Sequence, residues 1–267
     1  MSFRAQRGIY TEVNNKMRIF SVSGISKSGK TTTIEEIIKE LRRRRYTVGS
    51  IKDIHFEAFA IDGPSTNTAR HRRAGSELVT AWGLAETDVL FPTRLPLEQL
   101  LRFYSQDFVI IEGFAEGPIP KIVTGHSLER VDERLDDLTF AISGRIAAGM
   151  DEYRGLPALS ALTQVAELCD LIEEKVFERL PHFPGECCAA CGQDCVQLAA
   201  RILKGEAQRS DCRLVAERQK VELCIDGEPI KMVPFVQSIL YNAVRGVVTE
   251  LDGYQPGKKV EIKIGSI

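Results

Sequence analysis

The chain switches repeatedly between two hydrophobic periods. Arg18-Ile-Phe-Ser-Val-Ser23 is a short apolar run ending at a glycine, and Thr31 to Arg44 then places Ile34, Ile37, Ile38 and Leu41 at helical spacing. The first run predicts a buried strand and the second a helix with one apolar stripe. Tyr46 to Lys52 predicts a second strand, which completes a βαβ unit. The segment Asp53 to Asn67 breaks the pattern with Gly63, Pro64 and several hydroxyl side chains, and it reads as a functional loop. Further strands are predicted at Glu77–Ala81, Asp88–Phe91, Phe108–Ile111, Lys121–Val123 and Leu138–Ile142, with a helix over Leu97–Tyr104. Their β-branched, apolar character suits a sheet covered on both faces.

Leu162 to Leu180 predicts a helix that stops at Pro181, and Pro184-Gly185 follows as a domain boundary. After it come a helix over Val196–Lys204, a strand over Val221–Ile225, a turn at Asp226-Gly227, a helix over Pro234–Arg245 and an alternating strand over Lys259–Ile264. The expected organisation is a polar extension over residues 1–16, an α/β P-loop nucleotide-binding fold with a largely parallel sheet over 17–180, and a smaller cysteine-rich α+β domain over 181–267.

Composition narrows the function classes. The 267 residues are 43% apolar and 27% charged with a formal net charge of -2, and no apolar run is long enough for a membrane helix. General nucleic-acid binding and membrane insertion are therefore not expected. The basic block Arg42-Arg43-Arg44-Arg45 reads as the solvated end of a helix. The first sixteen residues lack the apolar core of a secretion signal, so the expected location is the cytoplasm. Seven cysteines, most of them after residue 186, point to a localised metal site in a reducing compartment.

Two constellations carry chemistry. Gly24-Ile25-Ser26-Lys27-Ser28-Gly29-Lys30-Thr31 has the G-x-x-x-x-G-K-T spacing of a phosphate loop, between a predicted strand and a predicted helix. Successive amide N–H groups and the helix N-terminus would cradle phosphate oxygens, with glycines allowing close approach. Lys30 would meet the outer phosphates, Thr31 would hold Mg²⁺ through its hydroxyl, and Thr32 extends the loop. Glu112 ends the apolar strand Asp107-Phe-Val-Ile-Ile-Glu112, where open α/β sheets place ligands. It is the carboxylate candidate for Mg²⁺, bound directly, through water, or by orienting a water near the terminal phosphate. Asp62 is a second metal-side acid. Histidines 55 and 71 have no visible partner in the sequence and are assigned no chemical step.

The second constellation is Cys188, Cys191, Cys195 and Cys212, spaced C-x2-C-x3-C-x16-C, with Cys187 adjacent. Four thiolates converging across a helix suit either a [4Fe–4S] cluster or tetrahedral zinc. The segment looks like the small four-cysteine iron–sulfur domains of corrinoid- and ferredoxin-linked enzymes. Those commonly have four residues between the second and third ligands, and the three found here keep zinc open; unligated buried cysteines are the third reading. Cys169 and Cys224 fall in apolar helix and strand patterns and read as small core residues.

Beyond the phosphate loop, Val48-Gly-Ser-Ile-Lys-Asp53, Asp62-Gly-Pro-Ser-Thr-Asn-Thr-Ala-Arg-His-Arg-Arg-Ala-Gly75 and Val109-Ile-Ile-Glu-Gly-Phe114 resemble the MobB family of molybdopterin-guanine dinucleotide biosynthesis adaptors, over about residues 17 to 175. The resemblance implies GTP with Mg²⁺ as ligand and weak GTPase activity. It also implies molybdopterin or its nucleotide derivative and a guanylyltransferase or molybdoenzyme maturation partner as associates; a homo-oligomer is a further candidate association that the resemblance does not decide. It puts Asp62, Thr66, Thr68, Arg70, His71 and Arg72 in a nucleotide- or partner-facing loop. The family often has histidines after the second strand's lysine, where this chain has Asp53 and then His55. A P-loop small-molecule kinase and a nonenzymatic iron–sulfur scaffold are the alternative functions.

Overall fold

The computed structural model describes residues 17–56, 59–114, 116–181 and 191–212, together with 215, 221, 223–230, 232, 234–254, 260–262 and 264. Its centre is a five-stranded, all-parallel sheet in the order β2-β5-β1-β6-β7. The strands are β1 (Arg18–Gly24), β2 (Val48–Lys52), β5 (Phe108–Glu112), β6 (Lys121–Thr124) and β7 (Thr139–Ser143). Phe20, Val22, Ile110, Ile122 and Ala141 are buried in one core cluster, while Ile19, Val109 and Ile111 are buried in another. That division is what alternation along strands covered on both faces produces. An α/β fold with a largely parallel sheet is therefore established.

Helix α1 (Lys30–Arg43) buries Ile34, Ile37 and Leu41 and packs beside α5 (Val165–Lys175), which buries Leu168, Cys169 and Ile172. The basic block at the end of α1 is not simply solvated. Arg44 Nη1 donates to Asp170 Oδ1 and Glu173 Oε1, both at 2.6 Å, and its Nε donates to Glu40 Oε1 at 2.8 Å. Only 19% of the Arg44 side chain is exposed, so one arginine of the four clamps α1 to α5.

Several sequence expectations are corrected. The runs at residues 77–81 and 88–91 do form strands, β3 (Val79–Trp82) and β4 (Thr87–Leu90), but they pair only with each other, antiparallel, outside the main sheet. A tight turn joins them, with Gly83 N–H donating to Glu86 O, and this local pairing leaves Trp82, Leu84 and Val89 exposed. Between β2 and β3 lies α2 (Asn67–Arg73), a short helix capped by Thr66. The expected helix over Leu97–Tyr104 is α3 (Leu97–Leu100) followed by a 3-10 turn, and α4 (Leu128–Asp132) lay in no predicted element. The expected helix to Leu180 stops at Lys175 because the chain then runs extended beside β1: Glu178 bridges Arg18, and Arg179 N–H donates to Met17 O.

In the C-terminal region the helix α6 (Cys195–Leu203) begins with a capping box, in which Asp194 accepts from Gln197 N and Gln197 from Asp194 N. The turn at Asp226-Gly227 is present, with both residues at positive φ, and it joins the two-residue strands Cys224–Ile225 and Glu228–Pro229. The expected strand over 221–225 thus shrinks to Cys224–Ile225, and Cys224 is exposed rather than in the core. The Pro234–Val248 helix is present, whereas the described residues among 259–264 form no strand. Cys195, Leu198, Ala199, Leu203 and Cys212 belong to the same continuous core cluster as Phe20, Ile37, Phe108 and Leu168. Residues 191–212 are also tied on by Lys204 to Asp137 at 2.8 Å and by Arg209 Nε to Glu178 O at 2.9 Å. Among the described residues no helix is long and apolar enough to cross a membrane.

Candidate functional site

The C-terminal ends of the parallel strands open into a cleft of about 890 Å³, the usual ligand position in an open α/β sheet. Its floor is the turn from β1 into α1. Gly24 can only be glycine, because a Cβ there would lie 2.3 Å from Thr124 Oγ1 and 2.4 Å from Thr124 O. Gly29 caps α1 in the left-handed region (φ 103°), and Lys27 at φ 61° bends the loop without a glycine. Ser28 is fully buried: its hydroxyl lies 2.8 Å from Ile25 O and 2.7 Å from Thr124 Oγ1. The hydroxyl pair holds the loop against the end of β6.

Charged groups meet above this turn. Lys30 folds back so that Nζ donates to Gly24 O at 2.8 Å and Ile25 O at 2.6 Å. Burial lowers the Lys30 ammonium pKa; Glu112 opposes the shift, and Lys52 and Arg134 reinforce it. Thr31 Oγ1 donates to Glu112 Oε1 at 3.0 Å, and Lys52 Nζ reaches the same oxygen at 3.3 Å. The register that sets Lys52 opposite Glu112 brings these side chains together, since β2 and β5 are parallel neighbours.

Of the residues expected from the sequence, Gly24, Ser26, Lys27, Gly29, Lys30, Thr31, Thr32 and Glu112 line the cleft. Ile25 supplies the carbonyl that accepts from Lys30, and Ser28 lies buried behind the loop. Asp62, Thr66 and Thr68 are not among the lining residues. They form a separate cluster at the start of α2, where Asp62 accepts from Thr66 Oγ1 and from Arg72 Nη2 at 2.9 Å, and Thr68 Oγ1 donates to Thr66 Oγ1 at 3.0 Å. The Thr66 hydrogen bond is the first cause that lowers the Asp62 carboxyl pKa, although burial opposes it.

Sequence reasoning gave no site role to Asp53, Thr124, Gly144, Arg145 or Leu162. Asp53 lines the cleft with a carboxylate only 7% exposed, accepting from Arg94 Nη2 at 2.8 Å and lying 3.2 Å from His55 Nε2. Its departure from the family's histidine pattern was the one available signal. Gly144 and Arg145 follow β7 and abut the loop, where Arg145 N–H donates to Ser28 O at 3.1 Å. No local motif marks Thr124, Gly144 or Leu162; chain topology brings them to the site.

The cysteines present a different picture. Cys191 is half-buried and Cys195 and Cys212 are buried, while Cys187 and Cys188 lie outside the described residues. Among the described residues no three His, Cys, Asp or Glu side chains gather to hold a metal ion. Cys169 is a core thiol, pushed up to about 12 by burial.

The sequence profile of Molybdopterin guanine dinucleotide synthesis protein B, MobB, matches residues 19–142. A relative from Methanocaldococcus jannaschii, carrying the molybdopterin-guanine dinucleotide biosynthesis adapter name, is 30% identical over 255 residues, spanning 93% of this chain and 97% of the relative. The chain belongs to the MobB family. The molybdopterin-guanine dinucleotide biosynthesis adapter protein of Haemophilus influenzae is 28% identical over 180 residues, which is 65% of this chain and 95% of that protein. The crystal structure of Bacillus subtilis MobB is similar with a TM-score of 0.48 and 26% identity, covering 61% of this chain and 99% of that one. The archaeal match leaves too little of this chain outside it for the cysteine-bearing segment to be excluded. The archaeal relative thus matches nearly the whole chain, whereas the Haemophilus influenzae protein matches about two thirds of it.

Proposed function

We propose that this MobB-family chain binds Mg·GTP and acts as a nucleotide-dependent adaptor in molybdopterin-guanine dinucleotide biosynthesis, with weak GTPase activity at most. One observation carries the reading: the turn from β1 into α1 gathers Lys30, the Thr31 hydroxyl and the Glu112 carboxylate in a cleft at the ends of parallel strands. A phosphate chain fits the cations there, because Lys27, Lys30 and Lys52 all line the cleft. Thr31 and Glu112 form an oxygen donor set suited to Mg²⁺, and bound metal would neutralise charge between the outer phosphates. Lys30, partly desolvated and held on two carbonyls, is positioned to exchange one of them for a phosphate oxygen. The guanine preference and the pterin partner rest on family membership.

The cysteine-bearing segment supports a second element of the proposal, a thiolate metal centre formed by Cys188, Cys191, Cys195 and Cys212. Its support is the C-x2-C-x3-C-x16-C spacing and the position of Cys195 as the first residue of α6. A [4Fe–4S] cluster is the leading occupant and zinc the alternative.

One preparation tests both elements. Full-length protein purified without oxygen is titrated with Mg·GTP and Mg·ATP, and its iron, inorganic sulfide and zinc are measured. Saturable GTP binding with about four irons and four sulfides per chain is expected. Folded protein that binds neither nucleotide rejects the adaptor reading. Stoichiometric zinc without sulfide replaces the cluster, and absence of both metals rejects a thiolate centre.

A further inference from the structure

The nucleotide reading leaves open where the base sits, and the polarity of the cleft answers it. On the β2–β5 side of the loop the lining is charged, with Lys52, Asp53 and Glu112. On the β7 side it changes to Ala148, Ser160, Ala161 and Leu162, and among the described lining residues there Arg145 is the only charged one. A nucleoside triphosphate has the same polarity: one highly charged end and one flat heterocycle. With phosphates held over the β1–α1 turn and the metal-side groups on β5, the heterocycle is left the β7 side.

We propose that Leu162 and Arg145 form the base seat of the nucleotide site. Leu162 is 72% exposed although its neighbours Ser160 and Ala161 are buried, so an apolar side chain stands at the cleft with its supporting backbone fixed. Covering it with a planar ring removes apolar surface from water, and a guanidinium stacks favourably on a heterocycle. Both residues are rigidly referenced to the phosphate loop. Gly144 packs so closely that a Cβ on it would lie 2.4 Å from Ser28 O, and the next amide, of Arg145, donates to that same carbonyl. Leu162 follows a segment tied to β7 by Ser143 Oγ to Leu159 O at 2.7 Å and Leu159 N to Ile142 O at 2.9 Å. Seating by stacking tolerates any base, since every base presents a π-face.

The inference rests on the nucleotide reading, and tripolyphosphate separates the two. Calorimetric titration of the full chain with Mg·GTP, Mg·ATP and Mg·tripolyphosphate is performed on wild type, Leu162→Ala, Arg145→Ala and Lys30→Ala. Leu162→Ala and Arg145→Ala are expected to weaken both nucleotides roughly tenfold, the loss of about one buried contact, and to leave tripolyphosphate unchanged. Lys30→Ala is expected to weaken all three. Wild-type nucleotide affinity in Leu162→Ala overturns the base seat, and an equal loss of tripolyphosphate in Arg145→Ala moves that arginine to the phosphates. If the wild type binds tripolyphosphate as tightly as GTP, the base has no seat and the inference fails while the phosphate site stands. Wild type that binds none of the three defeats the nucleotide reading itself.

Discussion

Glu112 joins two roles in one carboxylate. Its Oε1 accepts from the Thr31 hydroxyl and from Lys52, so it fixes the side chain proposed to hold Mg²⁺ and balances a cation of the cleft. Glu112→Gln keeps the size and an acceptor oxygen but removes the charge. The expected outcome is an unchanged melting temperature with the Mg²⁺ concentration for half-maximal GTP binding raised roughly tenfold, the loss of one anionic ligand. A Mg²⁺ titration at fixed GTP checks this, and an unchanged midpoint would leave Glu112 only its structural hydrogen bonds. At this scale the sequence was readable where the lining of the cleft is local. The Gly24–Thr31 spacing and the strand-end position of Glu112 both pointed to the cleft. Thr124, Gly144 and Leu162 were not readable, because chain topology and not local spacing brings each to the site; the Ser28–Thr124 pair, for one, lies 96 residues apart. Asp62 illustrates the converse: an acid in a conspicuous segment whose hydrogen bonds are spent at the start of α2.

The packing of α1 on α5 depends on one ionic knot. Hydrogen bonds from Arg43 and then Arg44 hold the Glu40 carboxyl at about 2, below the ordinary glutamate value of 4.5, and Arg44 likewise lowers Glu173. A carboxyl with a depressed folded value contributes stability above its unfolded value. That contribution is lost as the pH falls from about 4.5 towards 2. Arg44→Ala is expected to cost about 1–3 kcal/mol near neutral pH, because it strips charged hydrogen bonds from two carboxylates. The gap to wild type should narrow through that acid window. Urea unfolding midpoints measured across the window check the prediction, and a gap independent of pH would show that the arginine acts through packing alone. The long periodic helix α1 and the apolar strands were legible from their patterns. The four-residue strands β3 and β4 were legible as strands but not in their pairing, since alternation does not say which edge a strand joins. Short α2 and α4 carry too few turns to show a period.

At the scale of the molecule, the parallel sheet fixes where the cleft opens, and the core shows how residues 195–212 are attached. Residues 195–212 contribute Leu198, Ala199, Leu203 and Cys212 to the cluster that fills the space around α1, α5 and the sheet. The boundary expected at Pro181 rests on prolines and a change of composition, and the residues that follow it, 182–190, lie outside the described residues. Residues 195–212 therefore share a core with the sheet that carries the cleft. The central claim is that the β1–α1 turn binds the phosphates of a magnesium nucleotide. Calorimetric titration of Mg·GTP into wild type and Lys30→Ala, with circular dichroism to confirm that both are folded, tests it most directly. Saturable binding by the wild type, weakened about a hundredfold in Lys30→Ala by the loss of a charge-assisted phosphate contact, is the predicted result. Equal affinity in the two folded proteins, or no binding by the wild type, would contradict it.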